Sequence, residues 1–247
     1  MTRTQPRQQM VVGVDVNEGD VSENGDIKLD SVRNTILTMG QIDSRGGADE
    51  AVIRVAHTTS VPPAFTLVIP STQEWNPLGS LIPNDAMGNL NIMTGQSHLL
   101  DASYKALTAS IDAYYLENPD APRPPAVMVA GFSQGGITAG AFAELYGEDL
   151  NVKQVLTVGA EIGRFDIDLD VNVVAYEATG DLVPKLGGAR NPAEWETIEA
   201  DNGGGTITSH KAVLYAGMAD DLPPKISASF DQFFDSNSVI EDYHARK

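Results

Sequence analysis

The segment Ala126 to Gly136 runs Ala-Val-Met-Val-Ala-Gly-Phe-Ser-Gln-Gly-Gly, an unbroken apolar stretch that meets a glycine-flanked serine with no linker between them. A short apolar run with no polar face has the pattern of a buried strand, and the small residues after it open a helix. Strand, sharp turn and helix within so few residues suit folds in which a parallel strand feeds a covering helix. The rest of the chain agrees. Apolar runs rich in β-branched residues recur at Met10 to Val16, Ala51 to Ala56, Phe65 to Ile69, Val152 to Val158 and Val171 to Ala175. Leu100, Tyr104, Leu107, Ile111 and Tyr114 repeat at helical spacing and are closed by Asn118-Pro119. A second helix is expected from just after Ser133, through Ile137, Ala141, Phe142 and Leu145, to a stop at Gly147. A last one, after Pro223-Pro224, carries Ile226, Phe230, Phe233 and Phe234, and Asn202 to Gly205 has the composition of a flexible loop tip. The expectation is one α/β domain over residues 1–247, with a mostly parallel central sheet and helices on both faces.

Composition removes several classes of function. With 247 residues, 42% of them hydrophobic, the chain can bury a core without bridges or metals. It has no cysteine, which excludes a disulfide framework, a Cys-ligated zinc and a cysteine nucleophile. The four histidines, at positions 57, 98, 210 and 244, show no paired ligand spacing, so neither a metal nor another cofactor is expected. A formal charge of -18 repels phosphate backbones and anionic headgroups, so nucleic acid is not an expected partner. No run of 18 apolar residues occurs and the start, Met1 to Arg7, is polar, so neither membrane insertion nor a signal peptide is expected. Compartment and oligomeric state do not follow from these features.

Chemistry enters at Gly131-Phe132-Ser133-Gln134-Gly135. A G-x-S-x-G between a buried strand and a helix has the setting of a nucleophile elbow, whose sharp turn needs flanking positions without bulk; Gly131, Gly135 and Gly136 meet that need. A serine hydroxyl attacks well only when a base takes its proton and an acid holds the base in the right tautomer. In α/β-hydrolases these partners follow the serine in the order acid, then histidine. Only His210 and His244 lie downstream. His244 sits in the charged tail Tyr243 to Lys247, where a solvated, disordered state is expected. His210 follows a Gly-rich loop and is the better base. For the acid, Asp181 stands in Thr179-Gly180-Asp181-Leu182-Val183-Pro184, just past the strand ending at Ala175; its rivals are Glu161, Asp166, Asp168, Asp170 and Glu177. Oxyanion donors are expected from the Gln134 N–H and from Ser71-Thr72-Gln73, the loop after Phe65 to Ile69, with Thr72 as the second donor.

Val68 to Trp75, Gly131 to Gly136, Val158 to Arg164 and Gly180 to Pro184 followed by Asn191-Pro192 together resemble uncharacterised actinobacterial α/β-hydrolases, which are distantly similar to class 3 lipases and cutinase-like esterases. The resemblance covers about Ala51 to Tyr215 and leaves the first fifty residues unmatched. It implies the α/β-hydrolase fold and Ser133, Asp181 and His210 as a triad. Two departures stand out: Phe132 replaces the histidine commoner before the nucleophile, and Ser71 stands where glycine is more usual in the oxyanion loop. The implied function is cleavage of a carboxylic ester, small-molecule or lipid, through an acyl-enzyme. A cutinase-like or mycolyl esterase of the phage-lysis type, a thioesterase or a peptidase would use the same machinery, and a binding protein that keeps the fold without activity is the alternative outside enzymes. Trp75, Leu81, Pro83, Met87 and Met93 could form a partial apolar lid, or a plain loop packed on the core.

Overall fold

The computed structural model describes residues 25–46, 50–71, 86–186, 188–205, 208–219 and 222–246, the side chains of 86–97 and of residue 246 excepted. The run Met10 to Val16, Thr72, and the lid residues Trp75, Leu81 and Pro83 lie outside the described residues, as do the side chains of Met87 and Met93.

Helix α1 (Val32–Arg45) leads into β1 (Glu50–His57) and β2 (Ala64–Ile69), then α2 (Ala86–Glu117), β3 (Ala126–Phe132), α3 (Gln134–Tyr146), β4 (Val152–Val158) and β5 (Asn172–Ala178). Strand β6 (Glu196–Ala200), α4 (Ala212–Ala216), α5 (Pro224–Phe230) and β7 (Val239–Arg246) complete the order. The seven strands form one sheet in the order β6-β5-β4-β3-β2-β1-β7. Strands β2 to β6 are parallel, and β1 pairs antiparallel with both β2 and β7. This is an α/β protein with a mostly parallel sheet.

The period-2 alternation of the strands divides the core in two. Val52, Val68, Met128, Leu156 and Val174 point to the side where Ile36, Met39 and Ile42 of α1 and Tyr215, Ile226 and Phe230 pack. Ile53, Leu67, Val127, Val129 and Val155 point to the other, against Leu107 of α2 and Phe142 of α3. Burial on both faces is why β3 is a continuous apolar run.

Three expectations are corrected. The helix read over Leu100 to Tyr114 is part of the longer α2, and α1 and β6 carry no expectation at all. Residues 239–246 are a strand, not a disordered tail. Eight residue pairs join β7 to β1, His244 lies opposite Val52, and Arg54, fully buried, bonds Asp242 through Nε and Nη2 at 2.7 and 2.8 Å. Asn202 to Gly205 is a bonded turn: Asn202 accepts from the Gly204 N–H at 3.1 Å and donates from Nδ2 to the Ser209 carbonyl at 2.8 Å. A Cβ on Gly204 would stand 2.5 Å from Ser209 Cα, so the turn needs a glycine there.

Candidate active site

Because β2 to β6 are parallel, the loops after their last residues collect along one edge of the sheet, where such folds keep ligand sites. Ser133 follows β3 directly, Asp181 follows β5, and His210 comes from the loop between β6 and α4. Their side chains form one chain of hydrogen bonds. Ser133 Oγ and His210 Nε2 are 2.8 Å apart, and His210 Nδ1 donates to Asp181 Oδ2 at 2.6 Å. All three are shielded: Ser133 is 8% exposed, and the His210 and Asp181 side chains are 6% and 2% exposed.

Local sterics place the serine. Ser133 has φ 55° and ψ -121°, outside the regions open to most L-residues, at a cost of about 1–3 kcal/mol. Its N–H donates to the Val158 carbonyl at 2.9 Å, which ties the turn to β4, and its carbonyl accepts from the Gly136 and Ile137 N–H groups as α3 begins. A Cβ on Gly131 would fall 2.2 Å from the Gly135 carbonyl oxygen, and one on Gly135 would fall 2.3 Å from the Ile69 oxygen. Those contacts are with backbone, which cannot swing aside. Gln134 is the first residue of α3, where the N–H groups of a helix lack intrahelical acceptors.

The acid is held by more than the histidine. Asp181 Oδ1 accepts from the Val183 N–H at 2.9 Å, and Oδ2 accepts a second bond from the Tyr215 hydroxyl at 2.6 Å. Tyr215 oxygen in turn accepts from the Ala178 N–H at 3.1 Å. Burial alone would raise the Asp181 carboxyl; the bonds from His210, Tyr215 and Val183 outweigh it and hold the group below its ordinary value, so it stays ionised. Burial first, and the Asp181 bond next, push the Tyr215 hydroxyl far above its ordinary value, which keeps it a donor. Phe132, where the resembled family more often has histidine, lays its ring against His210 with centroids 4.7 Å apart. With the Asn202–Ser209 bond, this fixes the imidazole from a second side.

The other expected residues divide clearly. His244 is 55% exposed with Nδ1 3.4 Å from Glu50, on the far edge strand. Glu177 accepts from Asn191 at 2.7 Å, Glu161 lies within 3.7 Å of Arg164, and Asp168 accepts from the Asp170 N–H. Thus Asp181 and not a rival meets the histidine. In the loop expected to supply an oxyanion donor, the Ser71 N–H donates to Asp43 Oδ1 and the Ser71 hydroxyl to Asp43 Oδ2, both at 2.7 Å, so Ser71 is not a donor to an incoming oxygen. Asp43 and Tyr215 had no signal in the sequence, since each acts through a partner distant in the chain.

Among the described residues no group of three or more His, Asp or Glu side chains is placed to hold a metal ion, and no helix is long and apolar enough to cross a membrane. A hydroxyl, an imidazole and a carboxylate in this order can move a proton from oxygen to nitrogen and leave an alkoxide-like nucleophile. No protein-family description, curated protein or solved structure matches this chain.

Proposed function

We propose that this chain is a serine hydrolase of the α/β-hydrolase fold that cleaves carboxylic esters through an acyl-enzyme. The observation that carries the reading is the continuous Ser133–His210–Asp181 hydrogen-bond chain, with its serine on a strained turn between strand and helix. Strain at a position with no need of it for packing is expected where a side chain must be presented to a reactant. The resemblance to actinobacterial hydrolases supports the same assignment.

In this mechanism Ser133 Oγ attacks the ester carbonyl carbon while His210 Nε2 takes its proton. Asp181 holds Nδ1–H and stabilises the imidazolium that forms. The developing oxyanion is met by the Gln134 N–H and by a donor from the loop after β2, with Thr72 as the expected residue. Collapse breaks the C–O bond, and the leaving alcohol departs with the proton from Nε2. Water then gives its proton to His210, attacks the acyl carbon and releases the acid, restoring Ser133. The substrate is a small-molecule or lipid ester.

A fluorophosphonate probe tests the reading. Mass mapping should place the adduct on Ser133 and on no other serine, and Ser133→Ala should abolish it. An adduct elsewhere, or none on folded protein, would overturn the assignment.

A further inference from the structure

Helix α1 lies in the part of the chain that the resemblance leaves unmatched, yet it reaches the proposed site at two points. A Cβ on Gly40 would stand 3.7 Å from Ala212 Cβ, two residues beyond His210. One turn further on, the half-buried Asp43 takes both donors of Ser71 at 2.7 Å each.

The peptide plane joining Pro70 to Ser71 is gripped from both sides. On one side its carbonyl oxygen presses on the elbow, where a Cβ on Gly135 would fall 2.7 Å away. On the other, its N–H is held by Asp43. A peptide is planar, so fixing both groups fixes the direction in which the chain leaves β2. Oxyanion stabilisation depends on donors fixed before the reaction, within a few tenths of an ångström of the developing charge.

We propose that Asp43 is a positioning residue for ester cleavage, clamping Ser71 so that the chain leaves β2 beside the elbow in a fixed direction, one residue before the expected oxyanion donor Thr72. The inference rests on the hydrolase reading and adds to it a role for α1. Its alternative, that Asp43 simply holds α1 in place, does not suit the chemistry. Helix α1 is already anchored by Ile36, Met39 and Ile42, each fully buried. Burial pushes the Asp43 carboxyl up to about 6 against the two lowering bonds from Ser71. Among the described residues no charged neighbour enters that balance; Arg45, on the same helix, gives its guanidinium to Asp26 and Asp242. Above that value the ionised carboxylate is less favourable in the folded chain than its protonated form.

The test compares wild type, D43N, D43L, S71A and the D43L/S71A pair on a p-nitrophenyl ester, beside inhibition by a trifluoromethyl ketone, whose serine adduct carries the oxyanion. With D43L, kcat should fall about 10- to 100-fold, below or at the loss of one whole oxyanion donor. KM should stay within about twofold, and the ketone should weaken by the same factor as kcat/KM. D43N keeps one acceptor and should lose roughly tenfold, S71A a few-fold, and the pair no more than D43L alone, because both changes break one clamp. Melting of D43N at pH 8 should be no lower than that of wild type. An active wild type whose folded D43L, or D43N should D43L not fold, keeps kcat within about twofold would overturn this inference alone. A wild type that neither cleaves esters nor takes a fluorophosphonate would overturn the hydrolase reading and this inference with it.

Discussion

Removing one oxygen atom, Tyr215→Phe, perturbs the acid without touching the serine or the histidine. Tyr215 is fully buried, donates to Asp181 Oδ2 at 2.6 Å and accepts from the Ala178 N–H at 3.1 Å. A hydrogen bond to an ionised group contributes about 1.5–3 kcal/mol, and a buried N–H left without an acceptor costs about 1–3 kcal/mol. The two losses share one atom and do not add fully, so about 3 kcal/mol is expected. For a chain of this length that lowers Tm by roughly 6–12 °C. The pH dependence separates this account from a simple packing loss. Asp181 is held below its ordinary value of 3.8, so it contributes stability that is present above that pH and lost as pH falls through its folded-state value. Tyr215→Phe weakens the depression, so the Tm gap from wild type should be full at pH 6 and narrow below about pH 4, leaving the part due to the Ala178 N–H. Turnover should drop about tenfold, since the Val183 and His210 bonds still orient the carboxylate. Thermal melts from pH 3 to 8, with turnover at pH 8, decide the matter. A Tm gap constant with pH, or a variant as stable and active as wild type, would refute the reasoning.

Three further outcomes follow from the same geometry. Asp181→Asn should cut turnover at least about a hundredfold with KM and folding nearly unchanged, whereas His244→Ala, on the opposite edge of the sheet, should leave turnover within about twofold; steady-state kinetics checks both. Gly135→Ala puts a methyl 2.3 Å from the Ile69 carbonyl oxygen and 2.7 Å from that of Pro70, so the elbow must shift, and loss of fluorophosphonate labelling in a variant that still shows a folded circular dichroism spectrum is expected. Arg54→Met leaves Asp242 without the bonds it receives from a fully buried guanidinium, at a cost of about 3–5 kcal/mol by urea unfolding, and adding Asp242→Leu should recover part of it.

The inner parallel strands could be read from sequence because burial on both faces leaves an apolar run that needs no partner to be recognised. Strand β3 lies at Ala126–Phe132, where the run is uninterrupted. Strands that depend on a neighbour were hidden. In β7 the sequence Val-Ile-Glu-Asp-Tyr-His-Ala-Arg looks like a solvated tail, but Asp242 meets buried Arg54, and Glu241 accepts from Ser110 at 2.6 Å. Charge compensation between residues 188 positions apart has no periodicity to betray it. Edge strand β6, mostly exposed, has the same difficulty. Helix α1 is a different case: Ser31 caps it by accepting from the Asn34 N–H at 3.1 Å, and Val32, Ile36, Met39 and Ile42 recur at helical spacing, so its signal was present in the residues.

The site divides along the same line. Ser133 could be named because its constraints are local: strand, glycines and helix are contiguous, and each contact that forces its turn lies within a few residues or on the adjacent strand. Asp181 and His210 were reached by chain order and by their place after late strands, which the parallel topology turns into proximity. What surrounds them could not be reached that way. Tyr215 meets Asp181 from 34 residues away and Asp43 meets Ser71 from 28, and neither a tyrosine in a short helix nor an aspartate in an amphipathic one is unusual where it stands. Their significance is that each holds a group whose own position is set by a backbone turn: Tyr215 the carboxylate after β5, Asp43 the peptide after β2. Turns at the carboxyl edge of a sheet have few internal bonds to fix them. A side chain brought from a helix on the α1 and α4 face supplies the missing constraint, which explains why the two positioning groups come from the same side of the sheet while the elbow helix covers the other.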